Sequence, residues 1–291
     1  MDTVGIVGAG QMGSGIAEVV AVAGVRTLVH EPQDAPLHGC EQRIAASLAK
    51  AVDRGKLAPH AAAAAADRIT FTTQIDDLAQ CQLVVEAVTE DRAVKCDVFR
   101  RLDQRLPRTV ILASNTSSIP ITTLAQATSR PDRVLGLHFF SPVPVMTLVE
   151  IVPGYATSPD VIEATEGFAR QLGKHAIRSK DRAGFVVNLL LIPYLAGAVA
   201  LYDAGHATRE DIDDAMTLGC GHPMGPLTLC DFIGLDVIDG ICACLYEEYG
   251  REEFAAPPLL RRMVAAGALG RKAGRGFYEY APARPVALAS R

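Results

Sequence analysis

The residues best suited to chemistry in this chain are His138 and Glu150. His138 leaves the apolar run Leu137-His138-Phe139-Phe140 ahead of Ser141-Pro142, and Glu150 enters the run Leu148-Val149-Glu150 twelve residues later. A strand pair that brings the two together makes a His–Glu dyad. The carboxylate then fixes the imidazole tautomer and raises its basicity, which suits a base that takes a proton from a hydroxyl. The same pattern also fits a histidine that ends a strand as a satisfied packing residue. The pair needs companions before it means catalysis.

The N-terminus supplies one. Val4-Gly5-Ile6-Val7 is a short β-rich run that flows into Gly8-Ala9-Gly10-Gln11-Met12-Gly13. Ile16, Val19, Val20 and Ala23 then recur at helical spacing until Gly24. A G-x-G-x-x-G between a strand and a helix is the dinucleotide fingerprint. Gly8 permits the tight turn, Gly10 lets the backbone approach a pyrophosphate, and Gly13 lets the helix pack on the sheet. The helix N-terminus offers free N–H groups and a favourable dipole to that anion. A second apolar run, Thr27-Leu28-Val29, ends in His30-Glu31, eighteen residues beyond Gly13. An acid at this point accepts hydrogen bonds from the adenosine ribose hydroxyls and repels a 2′-phosphate. Pro32, Gln33 and Asp34 follow with no arginine close by, so the expected cofactor is NAD rather than NADP.

These residues need a scaffold, and the chain is patterned for one in two parts. From residue 3 to about 179, short β runs at 4–7, 27–29, 69–71, 83–86, 110–113, 134–138, 148–152 and 175–178 alternate with helical patterns. Such alternation builds a mostly parallel sheet with helices on both faces, and ligands bind outside the carboxyl ends of its strands. Glu90, Ser117 and His138 end or follow such strands and so can converge. From Ala183 onward the patterns are helical. The expected fold is therefore α/β. It comprises a Rossmann-type, mostly parallel sheet over 1–182 and a helical substrate and dimerisation domain over 183–291, hinged near 181–184. This puts Asn188 in the first turn of the second domain, with the site expected between the two.

Nearly forty residues separate Glu31 from Ile69, about twice what one crossover helix needs. They read as an insert near 34–68 made of two helices, 35–54 and 59–68. Arg43, Ser47, Lys50 and Arg54 are spaced four, three and four apart and share one helix face. On an acidic chain that stripe suits phosphates, although a solvated charge stripe has the same pattern.

With 291 residues and 49% apolar content, the chain is long enough for one or two domains with a sizeable core. Its net charge of −5 argues against a general nucleic-acid binder. A strand begins after two residues, so no signal peptide is expected. Seven scattered cysteines form no C-x-x-C and no zinc spacing. They read as buried thiols of a reducing cytoplasm, with no metal site. Residues 185–202 carry one strongly polar side chain, Asn188, and are broken by Pro193. They read as a doubly buried central helix, not a membrane span. That much apolar circumference in a small domain predicts a homodimer formed through it.

Several motifs in one order carry a resemblance. They are GAGQMGSGIA, Val85-Glu86-Ala87 through Glu90 and Lys95, Ser114-Asn115-Thr116-Ser117-Ser118, GLHFFSPVPVMTLVE, Gly184-Phe185-Val186-Val187-Asn188, Pro223-Met224-Gly225-Pro226 and Gly274-Arg275-Gly276-Phe277-Tyr278. Over nearly its whole length the chain resembles the L-3-hydroxyacyl-CoA dehydrogenases, most closely the short-chain 3-hydroxybutyryl-CoA type. The resemblance implies that His138 is the catalytic base and Glu150 its orienting partner. It implies that Ser117 and Asn188 contact the substrate, and that Glu90 and Lys95 lie beside the nicotinamide half of NAD. Gln11, Met12 and Asn115 join the glycines and Glu31 on the cofactor side, while Ser47, Lys50 and Arg54 hold CoA. Two positions depart from the pattern. Leu189 follows Asn188 where arginine is common, and Arg54 stands where many members carry lysine.

The activity so implied is reversible, NAD-dependent oxidation of a (S)-3-hydroxyacyl-CoA to the 3-ketoacyl-CoA. Two other readings compete. The same chemistry on an acyl-carrier-protein thioester would use the same core residues but no contacts to adenosine phosphates. A non-catalytic NAD-binding protein would be marked by loss of His138, Glu150, Ser117 or Asn188, and all four are present.

Overall fold

The computed structural model describes residues 1–280. Its strands are β1 (Thr3–Val7), β2 (Arg26–His30), β3 (Ile69–Thr72), β4 (Leu83–Glu86), β5 (Ile111–Ser114), β6 (Val134–Phe139), β7 (Leu148–Pro153) and β8 (His175–Arg178). They form one sheet in the order β3-β2-β1-β4-β5-β6-β7-β8. The first six run parallel, β7 turns antiparallel to β6, and β8 follows β7 in parallel. β4 and β5 are buried at every position, as strands covered on both faces must be. The chain runs outward from β1 to β2 and β3, then returns to β4 on the other side of β1. That reversal opens a crevice at the carboxyl ends of β1 and β4, the usual ligand position in such sheets.

The helices of this first unit are α1 (Gln11–Val22), α2 (Asp34–Asp53), α3 (Pro59–Ala66), α4 (Arg92–Arg105), α5 (Ile121–Ala125) and α6 (Pro159–Gln171). Two apolar clusters lie on opposite faces of the sheet. Leu83 and Val85 of β4 belong to the cluster with Ile16, Ile44 and Phe168, while Val84 between them belongs to the cluster with Phe99, Leu102 and Leu124. This is the two-residue alternation of a strand read in three dimensions.

The chain divides into two compact units, the first ending at Phe185 and the second beginning at Val186. The second contains α7 (Val187–Asp203), α8 (Arg209–Asp214), a π-helical turn (Ala215–Gly219), α9 (Pro226–Ile233), α10 (Leu235–Tyr249) and α11 (Pro258–Ala265). Two buried aspartates hold it. Asp213 accepts from the Leu227 and Thr228 amides at the start of α9 and from the Tyr278 hydroxyl. Asp231 accepts from the Phe277 and Tyr278 amides. A Cβ on Gly276 would fall 1.9 Å from Asp231 Oδ1. That contact accounts for the second glycine of Gly274-Arg275-Gly276.

Three expectations are corrected. α7 is not buried all round: Leu190 is 74% and Leu201 47% exposed, while Ile192, Leu195 and Val199 face the interior. α9, α10 and α11 pack against the helix and leave Leu190 and Leu201 uncovered. Only four of the seven cysteines are buried, with Cys220 exposed beyond the π-helical turn and Cys96 and Cys244 half-buried. The helical unit also carries isolated β-bridges, Gly270 with Arg275 and Arg275 with Glu279. Among the described residues no helix is long and apolar enough to cross a membrane.

Candidate active site

The antiparallel turn from β6 to β7 makes the dyad. The connection is too short for a parallel crossover, and its register sets His138 directly opposite Glu150. His138 Nδ1 and Glu150 Oε2 are 2.7 Å apart, and Glu150 is fully buried. With the proton on Nδ1 donated to the carboxylate, the neutral ring keeps its lone pair on Nε2. No hydrogen bond from a described residue occupies Nε2. The rings of Phe140 and Phe185 stand 4.5 Å and 5.6 Å from the imidazole, centroid to centroid, and limit its rotation.

Two residues fix the backbone around the histidine. Asn115 Oδ1 accepts from the Phe139 amide at 2.8 Å, tying the end of β5 to the end of β6. The buried Lys174 ammonium donates to the Val143 and Met146 carbonyls at 2.7 and 2.6 Å, closing the turn after the dyad. Burial pushes the Lys174 pKa below its ordinary value.

Beside β5, the loop holding Ser117 closes around a carboxylate. Glu90 Oε1 accepts from Thr116 Oγ1 at 2.6 Å and from the Ser117 amide at 2.8 Å. Longer contacts come from Ser117 Oγ at 3.2 Å and Ser118 Oγ at 3.1 Å. Burial pushes the Glu90 carboxyl upward, but the Lys95 ammonium and these donors outweigh it and hold the pKa below the usual range. Lys95 itself is 1% exposed, 2.7 Å from Glu86 and 3.3 Å from Glu90. Its ammonium lies between these two glutamates, which precede it by nine and five residues in the chain.

The cofactor fit is legible in the glycines. Gly8 has φ of 106°, and a Cβ there would stand 2.6 Å from the Ala87 carbonyl oxygen. A Cβ on Gly13 would strike the Gly8 oxygen at 1.9 Å, so both glycines are required by the protein itself. Gly10 differs, since a Cβ there meets no protein atom within 4 Å. Nothing in the chain demands glycine at this position, but a pyrophosphate lying against the backbone does. Gln11 reaches Ser141 Oγ at 3.3 Å, and Met12 packs against the first apolar cluster. Glu31 accepts from the Ala9 amide at 3.3 Å and lines a pocket of about 520 Å³ with Gly8, His30, Val88 and Arg101. The His30 ring is buried, with no partner for Nδ1 among the described residues, and burial lowers its pKa from the ordinary imidazole value. These features suit the adenosine half of a dinucleotide.

The stripe on α2 is only partly free. Arg43 turns inward to Ser14 Oγ and the Ala9 carbonyl of the glycine loop. Ser47 Oγ donates to Glu18 Oε1 of α1 at 2.9 Å. Lys50 and Arg54 remain exposed. Asn188 is buried in the first turn of α7. Sequence reasoning gave no role to Glu86 or Lys174. The signal for Glu86 was available, as a lone acid closing the apolar run Leu83-Val84-Val85 nine residues before a lysine. Lys174 left no local signal, because its acceptors lie about thirty residues away. Among the described residues no cluster of three or more His, Cys, Asp or Glu side chains is suited to a metal ion.

A base held by a carboxylate at the end of such a sheet, near a loop cleared for a pyrophosphate, is the architecture of a dinucleotide-dependent dehydrogenase. Comparison with known proteins narrows the class. The family model for the 3-hydroxyacyl-CoA dehydrogenase NAD binding domain matches residues 3–182, and that for the 3-hydroxyacyl-CoA dehydrogenase C-terminal domain matches 184–280. The chain belongs to the 3-hydroxyacyl-CoA dehydrogenase family. It is 52% identical over 279 residues to a 3-hydroxybutyryl-CoA dehydrogenase of Mycobacterium tuberculosis, covering 95% of this chain and 98% of that one. The crystal structure of M. tuberculosis FadB2 matches with a TM-score of 0.94 at 52% identity, over 96% of this chain and 98% of that one. That of (S)-3-hydroxybutyryl-CoA dehydrogenase from Ralstonia eutropha matches at 0.92 and 45% identity, over 97% of this chain and all of that one.

Proposed function

We propose that this chain catalyses the reversible, NAD-dependent oxidation of short-chain (S)-3-hydroxyacyl-CoA, with 3-hydroxybutyryl-CoA as substrate. The observation that carries the reading is the buried 2.7 Å His138–Glu150 contact, which leaves Nε2 as the basic atom. Bound NAD supplies the hydride acceptor at the substrate's C3. His138 takes the 3-hydroxyl proton on Nε2, and Glu150 stabilises the imidazolium that results. In the reverse direction the same proton returns to the oxygen. Ser117 and Asn188 hold the hydroxyl and acyl oxygens. The cofactor is assigned to Gly8, Gly10, Gln11, Met12, Gly13, Glu31, Glu90, Lys95 and Asn115, with Glu31 selecting against a 2′-phosphate.

CoA phosphates are assigned to Lys50 and Arg54, with Ser47 alongside. The domains are 1–182 for NAD and 183–291 for substrate and dimerisation. Seven free cysteines suit a reducing compartment, and we assign the chain to the cytoplasm.

The test is NADH oxidation with acetoacetyl-CoA; no turnover overturns the reading. Replacing Lys50 and Arg54 together by alanine should raise KM for acetoacetyl-CoA and spare kcat, because phosphate contacts are equal in ground and transition states. The penalty should shrink with salt, which screens exposed charges over about 8–10 Å. A pantetheine thioester, lacking those phosphates, should not distinguish the variant from wild type. Equal losses on both substrates would make the stripe structural. A tenfold or larger preference for an acyl-carrier-protein thioester would favour that carrier.

A further inference from the structure

We propose that Glu18 is a positioning residue for CoA binding: it decides where the Ser47 hydroxyl sends its only proton. With Glu18 ionised the proton points inward, and with Glu18 protonated it is free for a CoA phosphate. The proposal rests on the reading of Ser47 as a CoA contact and adds what sets that contact.

Glu18 is the only charged residue of α1, and it is 5% exposed. Its Oε1 accepts from Ser47 Oγ at 2.9 Å across the contact between α1 and α2. Ser47 is half-buried, and Lys50 and Arg54, which follow it on the same helix face, are both in solvent. The serine thus joins an acid in the interior to the two cations assigned to CoA. Glu18 has no ion-pair partner among the described residues. Arg43 of α2, one turn before Ser47, is committed to Ser14 and the Ala9 carbonyl, and the Cys40 thiol accepts from Ser14. Among the strands packed on α1, β1 carries no charge, Arg26 of β2 is exposed, and His30 ends β2 in the pocket of Glu31. His60 of α3 is exposed.

A hydroxyl has one proton to give, and an ionised carboxylate can only accept. While Glu18 is charged, Ser47 spends its proton inward and offers only lone pairs to a phosphate, which is itself an acceptor. Once Glu18 is protonated the bond reverses. The acid donates to Ser47 Oγ, and the serine proton turns outward to a phosphate oxygen. Packing does not require the charge, because an amide of the same shape can bond to Ser47 without the cost of a buried carboxylate. Burial raises the Glu18 pKa above the ordinary carboxylate value and so moves this reversal toward neutrality. CoA should therefore bind more tightly below the raised pKa and lose the serine contact as pH climbs through it. By linkage, bound CoA favours the protonated acid to the same extent.

The experiment measures KM and kcat for acetoacetyl-CoA in wild type, Glu18→Gln and Ser47→Ala from mildly acid to mildly alkaline pH. Dividing the wild-type KM by the Glu18→Gln value at each pH removes the titration of the substrate's own phosphate. That ratio should rise by about tenfold from acid to alkaline pH, the scale of one hydrogen bond to a charged group, while kcat follows one pH profile in both enzymes. Ser47→Ala should raise KM at acid pH and match wild type at alkaline pH, where the wild-type serine has no proton to offer. A pantetheine thioester, without the adenosine phosphates, should give a flat ratio. A flat ratio with acetoacetyl-CoA overturns the proposal. So does a Ser47→Ala enzyme whose KM exceeds wild type by the same factor at every pH, because the hydroxyl then binds CoA without regard to Glu18. If Ser47→Ala leaves KM unchanged at every pH, the assignment of Ser47 to CoA fails, and the proposal falls with it.

Discussion

At the scale of single residues, the histidine is poised by what surrounds it on three sides. Glu150 takes Nδ1, two phenyl rings restrict rotation, and Asn115 anchors the next amide. A glutamine at 138 keeps a hydrogen bond within reach of Glu150 but cannot exchange a proton near neutral pH. His138→Gln should therefore lower kcat by at least ~10²-fold, the usual share of acid–base catalysis, with NADH affinity nearly unchanged. The chain contains no tryptophan, so NADH fluorescence reads that affinity without intrinsic indole background. Near-wild-type kcat would remove His138 from the mechanism.

At the scale of elements, the contact between α1 and α2 places a carboxylate in the interior with no ion-pair partner among the described residues. Glu18 is 5% exposed, and it accepts a hydrogen bond from the Ser47 hydroxyl. Burial outweighs that hydrogen bond and raises its pKa above the ordinary carboxylate value. The folded protein thus takes up a proton at Glu18 more readily than the unfolded chain. The stability linked to protonated Glu18 is present below the unfolded pKa and is lost as pH rises through the folded one. Glu18→Gln keeps an acceptor for Ser47 and removes the charge. The variant should melt above wild type at neutral pH and beyond, and the difference should fade as pH drops toward the ordinary carboxylate pKa. Thermal melts of both proteins across that range check it, and a Tm difference independent of pH would count against a buried charge at this position.

For the whole molecule, the unspent surface is the outer face of α7. Leu190, Gly197 and Leu201 fall on one stripe of that helix. All three are exposed, and a Cβ on Gly197 would meet nothing within 4 Å. Removing a leucine side chain from water contributes about 1.5–3 kcal/mol, and a small residue between two leucines permits close approach of another helix. A two-fold contact with a second copy is the commonest way to cover such a face. Light scattering at micromolar concentration should return a dimer, and replacing Leu190 and Leu201 together by serine should shift it toward monomer. A monomeric wild type would leave the stripe without that role.

The sequence alone was enough for the Rossmann-type sheet, the glycine loop and the His–Glu dyad, because each is a local pattern. Strand and helix periods, the three glycines and a twelve-residue spacing across one antiparallel turn all lie within short windows of chain. Gly10 was assigned to a ligand from its motif, and the open space at its Cβ gives the physical ground. The tertiary structure decided where long side chains go. Arg43 and Ser47 share a helix face with Lys50 and Arg54, yet the first two bend to α1 while the others stay in solvent. Arg101 lies seventy residues from Glu31 in the chain and lines the same pocket, so the absence of a nearby arginine in the sequence was not its absence in space. The buried carboxylate of Glu86 accepts from Ser114, twenty-eight residues further on, because β4 and β5 end side by side. Local order follows from backbone periodicity, which a sequence displays directly. The partner of a buried charge depends on which strand ends the sheet brings side by side, and that is settled only when the sheet closes.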